Sequence, residues 1–95
     1  MHVAFLRVQL EDNIHSDFTL EPGRTSIGRN ADNNIVLKHP SVSNHHARLN
    51  HEESYFLTDL RSSNGTFLNG KKIFHVKLID GDVINFAGVH ATFFE

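Results

Sequence analysis

Thr66-Phe67-Leu68-Asn69-Gly70-Lys71-Lys72-Ile73 is the stretch that decides how this chain folds. Asn-Gly flanked by short apolar-bearing runs is the strongest local signal for a two-residue β-hairpin, because a type I′ turn needs positive φ at both central residues. The same grammar extends outward in both directions. Toward the N-terminus, residues 62–65 form a Ser/Asn/Gly loop, and residues 46–50 and 55–59 read as a hairpin across residues 51–54. Residues 35–37 read as a short buried strand after the polar loop 30–34, and residues 25–28 as a strand after the turn Glu21-Pro22-Gly23. Before the turn Glu11-Asp12-Asn13, alternation at period two puts Ala4, Leu6, Val8 and Leu10 on one strand face, with Val3, Phe5, Arg7 and Gln9 on the other. Residues 18–20 form the return strand. Toward the C-terminus come residues 76–79, the turn Asp80-Gly81-Asp82, and runs at 83–86 and 89–94. No window sustains a 3.6-residue period with caps, so no helix longer than about one turn is expected. Ten or so short strands predict an all-β sandwich or barrel.

The chain has 95 residues, enough for one domain and one core. Apolar residues make up 39%, with eight Phe, one Tyr and no Trp, which fills a small core and excludes disorder. The formal charge of −2 excludes a nucleic-acid reader driven by bulk charge. The absence of cysteine excludes disulfide scaffolds, thiol nucleophiles and zinc-thiolate sites, and agrees with a reducing compartment. No run approaches the ~20 apolar residues of a membrane span, and no charged-then-apolar leader opens the chain. The expectation is a soluble, cytoplasmic domain over residues 1–95, trimmed to its strands, without a membrane or nucleic-acid partner. Eight histidines are the compositional oddity; protonating all of them moves the formal charge from −2 to +6, so mild acid should alter the surface potential.

Three loop stretches are more polar than turns require: Gly28-Arg29-Asn30, Ser43-Asn44-His45-His46 and Ser62-Ser63-Asn64-Gly65-Thr66. All lie at strand ends, where sandwich loops converge on a rigid scaffold. One Arg, two or three hydroxyls and two Asn amides form a donor-rich set with no carboxylate at its centre. Such a set suits a compact anion with several acceptor oxygens, above all a phosphate.

At these residues the chain resembles the forkhead-associated (FHA) domain family. Thr25-Ser26-Ile27-Gly28-Arg29, Asn34-Ile35-Val36-Leu37 and Val42-Ser43-Asn44-His45-His46-Ala47 follow the family's first signature. Asp59-Leu60-Arg61-Ser62-Ser63-Asn64-Gly65-Thr66-Phe67-Leu68-Asn69-Gly70 follows the second, and Leu78-Ile79-Asp80-Gly81-Asp82-Val83-Ile84-Asn85-Phe86 the third. The resemblance implies a β-sandwich of about eleven strands with its ligand loops at one end. It also implies recognition of phosphothreonine in an extended peptide made by a Ser/Thr kinase, without catalysis or cofactor. On that resemblance Arg29 and Ser43 contact the phosphate, Ser63 keeps a hydroxyl at its rim, and Asn64 bonds the peptide backbone. Asn44 stands where many members carry Arg, so an amide replaces one cationic phosphate contact. Gly28, His46 and Gly65 support the loops, and Arg61 departs from the usual small residue and bears on peptide preference.

Other readings carry less. Adjacent strand residues point to opposite faces, so His45 and His46 cannot chelate one metal; His2, His15, His39, His51, His75 and His90 lie apart. Asp80-Gly81-Asp82 lacks the alternate spacing of a calcium loop. Ser43 with His46 is a conceivable hydrolase pair, but no carboxylate is expected to orient the base. The principal alternative is a phospho-independent interaction or self-association scaffold on the same fold, kept open by Asn44 and Arg61.

Overall fold

A computed structural model describes residues 3–95; His2 lies outside the described residues. Eleven strands follow in order: β1 Phe5–Glu11, β2 Ile14–Thr19, β3 Gly23–Gly28, β4 Ile35–Val36, β5 Ala47–His51, β6 Tyr55–Asp59, β7 Thr66–Leu68, β8 Lys71–Ile73, β9 His75–Lys77, β10 Val83–Phe86 and β11 Val89–Phe94. No helix occurs among the described residues, and so none long and apolar enough to cross a membrane. Two sheets form, ordered β2-β1-β11-β10-β7-β8 and β4-β3-β5-β6-β9. The expected all-β sandwich is the architecture found.

Period-two alternation builds the core. Leu6 and Val8 of β1, Leu49 of β5, Leu57 of β6, Ile84 and Phe86 of β10 and Phe93 of β11 are buried together between the sheets. Fully burying each such side chain contributes roughly 1.5–3 kcal/mol. Leu10 breaks the expected pattern. It is 56% exposed, because the β1–β2 register shifts between Gln9 and Glu11 and the bulge turns Leu10 away from the core. The return strand β2 also begins earlier than its apolar residues suggest, pairing His15 and Ser16 along an exposed edge.

Crossings between sheets matter most for function. The chain leaves β6 in one sheet and enters β7 in the other through residues 60–65, while β3 and β4 pair in parallel with Ile27 opposite Ile35. Carboxylates hold the far turns: Asp82 Oδ2 accepts from the Ile79 N–H at 2.8 Å, and Asp80 Oδ1 from the Glu95 N–H at 2.9 Å. Both carboxylates of the Asp80-Gly81-Asp82 segment act as turn acceptors.

Candidate functional site

The end of β3, the β4–β5 connection and the β6–β7 connection are fastened by their own backbones. The Arg29 N–H donates to the Ser43 carbonyl at 3.0 Å, the His46 N–H to Ile27 at 2.9 Å, and the Leu60 N–H to His46 at 2.9 Å. Gly28 permits this closeness: a Cβ there would lie 2.3 Å from the Asn44 carbonyl oxygen and 2.8 Å from Asn33 Nδ2. Asn33, buried in the 30–34 loop, uses Nδ2 to donate to the carbonyls of Asn30 and Asn44 at 2.9 and 2.8 Å.

His46 is fully buried and joins two loops. Its Nδ1 accepts from the Ser43 N–H at 3.1 Å, which leaves Nε2–H to donate to the Gly65 carbonyl at 2.9 Å. The ring also meets Phe86 edge-on at 6.0 Å, so its plane is set by the core. Both ring nitrogens are thereby engaged by backbone, and neither is the acceptor of the Ser43 hydroxyl. His45 points the other way, exposed, with Nε2 3.7 Å from Asp32. No group of three or more His, Cys, Asp or Glu comes together among the described residues.

Beneath the third loop lies Asp59, buried at the end of β6. Oδ1 accepts from the hydroxyls of Ser62 and Thr66 at 2.6 and 2.7 Å, and Oδ2 from the Ser62 N–H at 3.1 Å. Burial pushes this carboxyl up. The three hydrogen bonds from Ser62 and Thr66 outweigh it and hold the group below its ordinary value. Ser62 Oγ in turn accepts from the Gly65 N–H at 2.9 Å. Sequence reasoning assigned Asp59 no role, although an Asp followed three residues later by Ser is a recognisable side-chain-capped turn.

On this frame sit the expected ligand residues. Ser43 Oγ accepts from the Ser63 N–H at 3.0 Å, which ties the second loop to the third and leaves the Ser43 hydroxyl hydrogen unused. Asn64 Nδ2 donates to the Ser41 carbonyl at 2.8 Å, and its Oδ1 has no partner among the described residues. Arg29 is exposed and makes no ion pair among the described residues. Instead its Nε and Nη2 donate to a single acceptor, Asn44 Oδ1, at 3.2 and 3.0 Å. Arg61 stands at the loop's start, exposed, with φ of 56° in the left-handed region. Arg29, Ser43, Asn44, Ser63 and Asn64 are thus brought to one end; Arg61 lies at its flank.

A strand-built sandwich that presents one arginine and several hydroxyl and amide groups from three tied loops defines a recognition domain. The chain belongs to the FHA domain family, whose model matches residues 25–87. FHA domains are interaction modules. The chain is 41% identical over 78 residues to the transcriptional regulatory protein EmbR of Mycobacterium tuberculosis, covering 80% of this chain and 20% of EmbR. It is 40% identical over 75 residues to the ABC transporter ATP-binding/permease protein Rv1747 of the same organism, covering 78% of this chain and 9% of that protein. The chain therefore spans a minor part of both relatives. The structure of M. tuberculosis EmbR in complex with a low affinity phosphopeptide matches with a TM-score of 0.89 at 37% identity, covering 97% of this chain and 24% of that one. A chain solved in a structural and functional analysis of phosphothreonine-dependent FHA domain interactions matches with a TM-score of 0.92 at 27% identity, covering 99% of this chain and 97% of that one.

Proposed function

We propose that residues 1–95 act as a single cytoplasmic FHA unit that binds a phosphothreonine-containing peptide or protein made by a Ser/Thr kinase, and catalyses nothing. The observation that carries this reading is the Ser63 N–H to Ser43 Oγ bond, 3.0 Å long, beside Arg29. It aligns a free hydroxyl donor with an unpaired guanidinium at the loop end, as a dianion with three acceptor oxygens requires. Arg29 and Ser43 serve the phosphate, with Ser63 at its rim. Asn64 offers Oδ1 to a peptide N–H, and Asn44 acts at the phosphate edge through Arg29. Gly28, His46 and Gly65 hold the frame. The phosphopeptide complex of EmbR, to which this chain is similar along most of its length, supports the same ligand class. The engagement of both His46 ring nitrogens by backbone, which gives Ser43 no base, supports a non-catalytic role.

The test is a titration of one threonine peptide with and without its phosphate. Strong dependence on the phosphate is expected, and equal affinities would overturn the reading. Phosphothreonine is expected to exceed phosphoserine by roughly 10- to 100-fold, within what one methyl group permits.

A further inference from the structure

The outer face of the β4-β3-β5-β6-β9 sheet carries a shallow cavity of about 280 Å³, lined by Arg48, Thr58, Asp59, Leu60, Arg61 and Phe74. It adjoins the phosphate end directly, since Arg61 precedes Ser62 and Asp59 holds Ser62. Three of its features are unexplained by the loop frame. Arg48 Nε is buried with no hydrogen-bond partner, and an unsatisfied donor on a charged group is among the costliest to bury. Arg61 keeps a long side chain at φ 56°, a backbone region that branched or long residues seldom occupy without a compensating contact. Phe74 is 67% exposed, while the Asp59 N–H pins its carbonyl at 2.7 Å, so the ring is presented on fixed backbone.

Charge decides what this cavity takes. Neither Arg48 nor Arg61 pairs with a carboxylate among the described residues. Asp59 lines the wall, but both its oxygens already accept from Ser62 and Thr66. The cavity thus offers two cations and an exposed ring, and its one carboxylate is already engaged by three hydrogen bonds. Its volume falls just below the roughly 300–1,000 Å³ of small-molecule pockets, and so suits a single side chain.

We infer that this cavity is a second anion subsite, which takes an acidic group flanking the phosphothreonine on the same partner. The inference rests on the reading of the loop end as a phosphothreonine site. The anion, a carboxylate or a second phosphate, pairs with the guanidinium groups of Arg48 and Arg61, while Phe74 packs against its stem.

The experiment walks a single Glu through the flanks of an otherwise neutral phosphothreonine peptide, with Gln at each position as reference. A second series carries phosphoserine in place of Glu. At one position the acid should tighten binding roughly 10- to 150-fold over Gln, the range of one charge-assisted contact. Gain with Glu identifies a carboxylate as the ligand; gain with phosphoserine alone identifies a second phosphate. Arg48→Gln should erase most of the gain while the neutral peptide binds within about twofold of before. Arg61→Gly, which relieves the left-handed φ and keeps the fold, should also erase it. A scan in which no acidic position exceeds Gln overturns the subsite, as does a gain that survives both substitutions. Phosphate-dependent binding persists in those outcomes; a neutral peptide indifferent to its phosphate instead overturns the loop-end reading and the subsite with it.

Discussion

Two Asn-Gly pairs stand five residues apart in this chain and do different things. Asn69-Gly70 is a turn with no tie to the ligand loops: φ values of 49° and 88° make the hairpin between β7 and β8, and a Cβ on Gly70 would meet no atom. The Asn69 side chain fastens that turn to the start of β10, accepting from the Val83 N–H at 2.9 Å and donating to Asp82 at 3.0 Å. In Asn64-Gly65 only the glycine has positive φ, 89°, and a Cβ there would press on the Phe67 ring at 3.2 Å. Its neighbours are non-local. Asn64 reaches Ser41, and the Gly65 carbonyl takes the proton of His46. The same dipeptide therefore pins a hairpin to a neighbouring strand in one place and joins separate ligand loops in the other. Changes at the first should reach stability alone, and changes at the second should reach binding.

The sharpest probe of the loop end is Arg29→Ala, which should weaken phosphopeptide binding by about 2–4 kcal/mol, or roughly 30- to 1,000-fold, with the melting temperature barely changed. Because Asn44 meets the guanidinium through both Nε and Nη2, Asn44→Ala should weaken binding in the parent and do nothing further in the Arg29→Ala background. An undiminished effect of Asn44→Ala in that background would make it an independent phosphate ligand.

His46→Ala should move both readouts together. It strands the Ser43 N–H and the Gly65 carbonyl, a loss of about 1–3 kcal/mol for each buried group left unsatisfied. Lost affinity with unchanged melting would mean that His46 touches the ligand.

The comparison itself is tested by the paired asparagines. Asn69→Ala should destabilise by about 1–2 kcal/mol through lost hydrogen bonds and a poorer left-handed residue, with peptide affinity intact. Asn64→Ala should weaken phosphorylated and unphosphorylated peptides alike, by roughly tenfold, with the smaller change in melting. Exchanged phenotypes would break the distinction.

The smallest effect is expected in acid. Asp59 has a folded pKa below the unfolded value of ~3.9, so its contribution is fully present above that pH and is lost as pH falls through the folded value. Melting temperature should therefore decline below about pH 4. Asp59→Asn should flatten that decline relative to the parent, and an unchanged acid limb would show that Asp59 does not carry it. Asp17, held down by its hydrogen bonds with Arg7 on the exposed face, acts in the same direction but is screened by solvent.

The strand inventory was legible because period-two alternation and turn chemistry are local. Residues 55–59, 66–68, 71–73, 83–86 and 89–94 coincide with their strands. What failed was set by partners. Leu10 obeys its pattern until the bulge opposite β2 turns it outward, and the polar edge strand β2 carries too little alternation to mark its start. The parallel pairing of β3 with β4 has no local signal at all. At the site, the residue types and their loops could be read, but the Arg29–Asn44 and Asn64–Ser41 bonds join residues 15 and 23 apart and exist only after the sheets pack. Asp59 was the readable omission.

The pairing of β1 with β11 puts Phe5 directly opposite Phe94, at the end of the sandwich remote from Arg29. Tension applied at these two residues pulls across the ladder rather than along it. Its hydrogen bonds then load one after another instead of all at once. The domain is in this sense a zipper with its pull-tab at the back, the end away from the peptide loops that His46, Ser43 and Asp59 tie together.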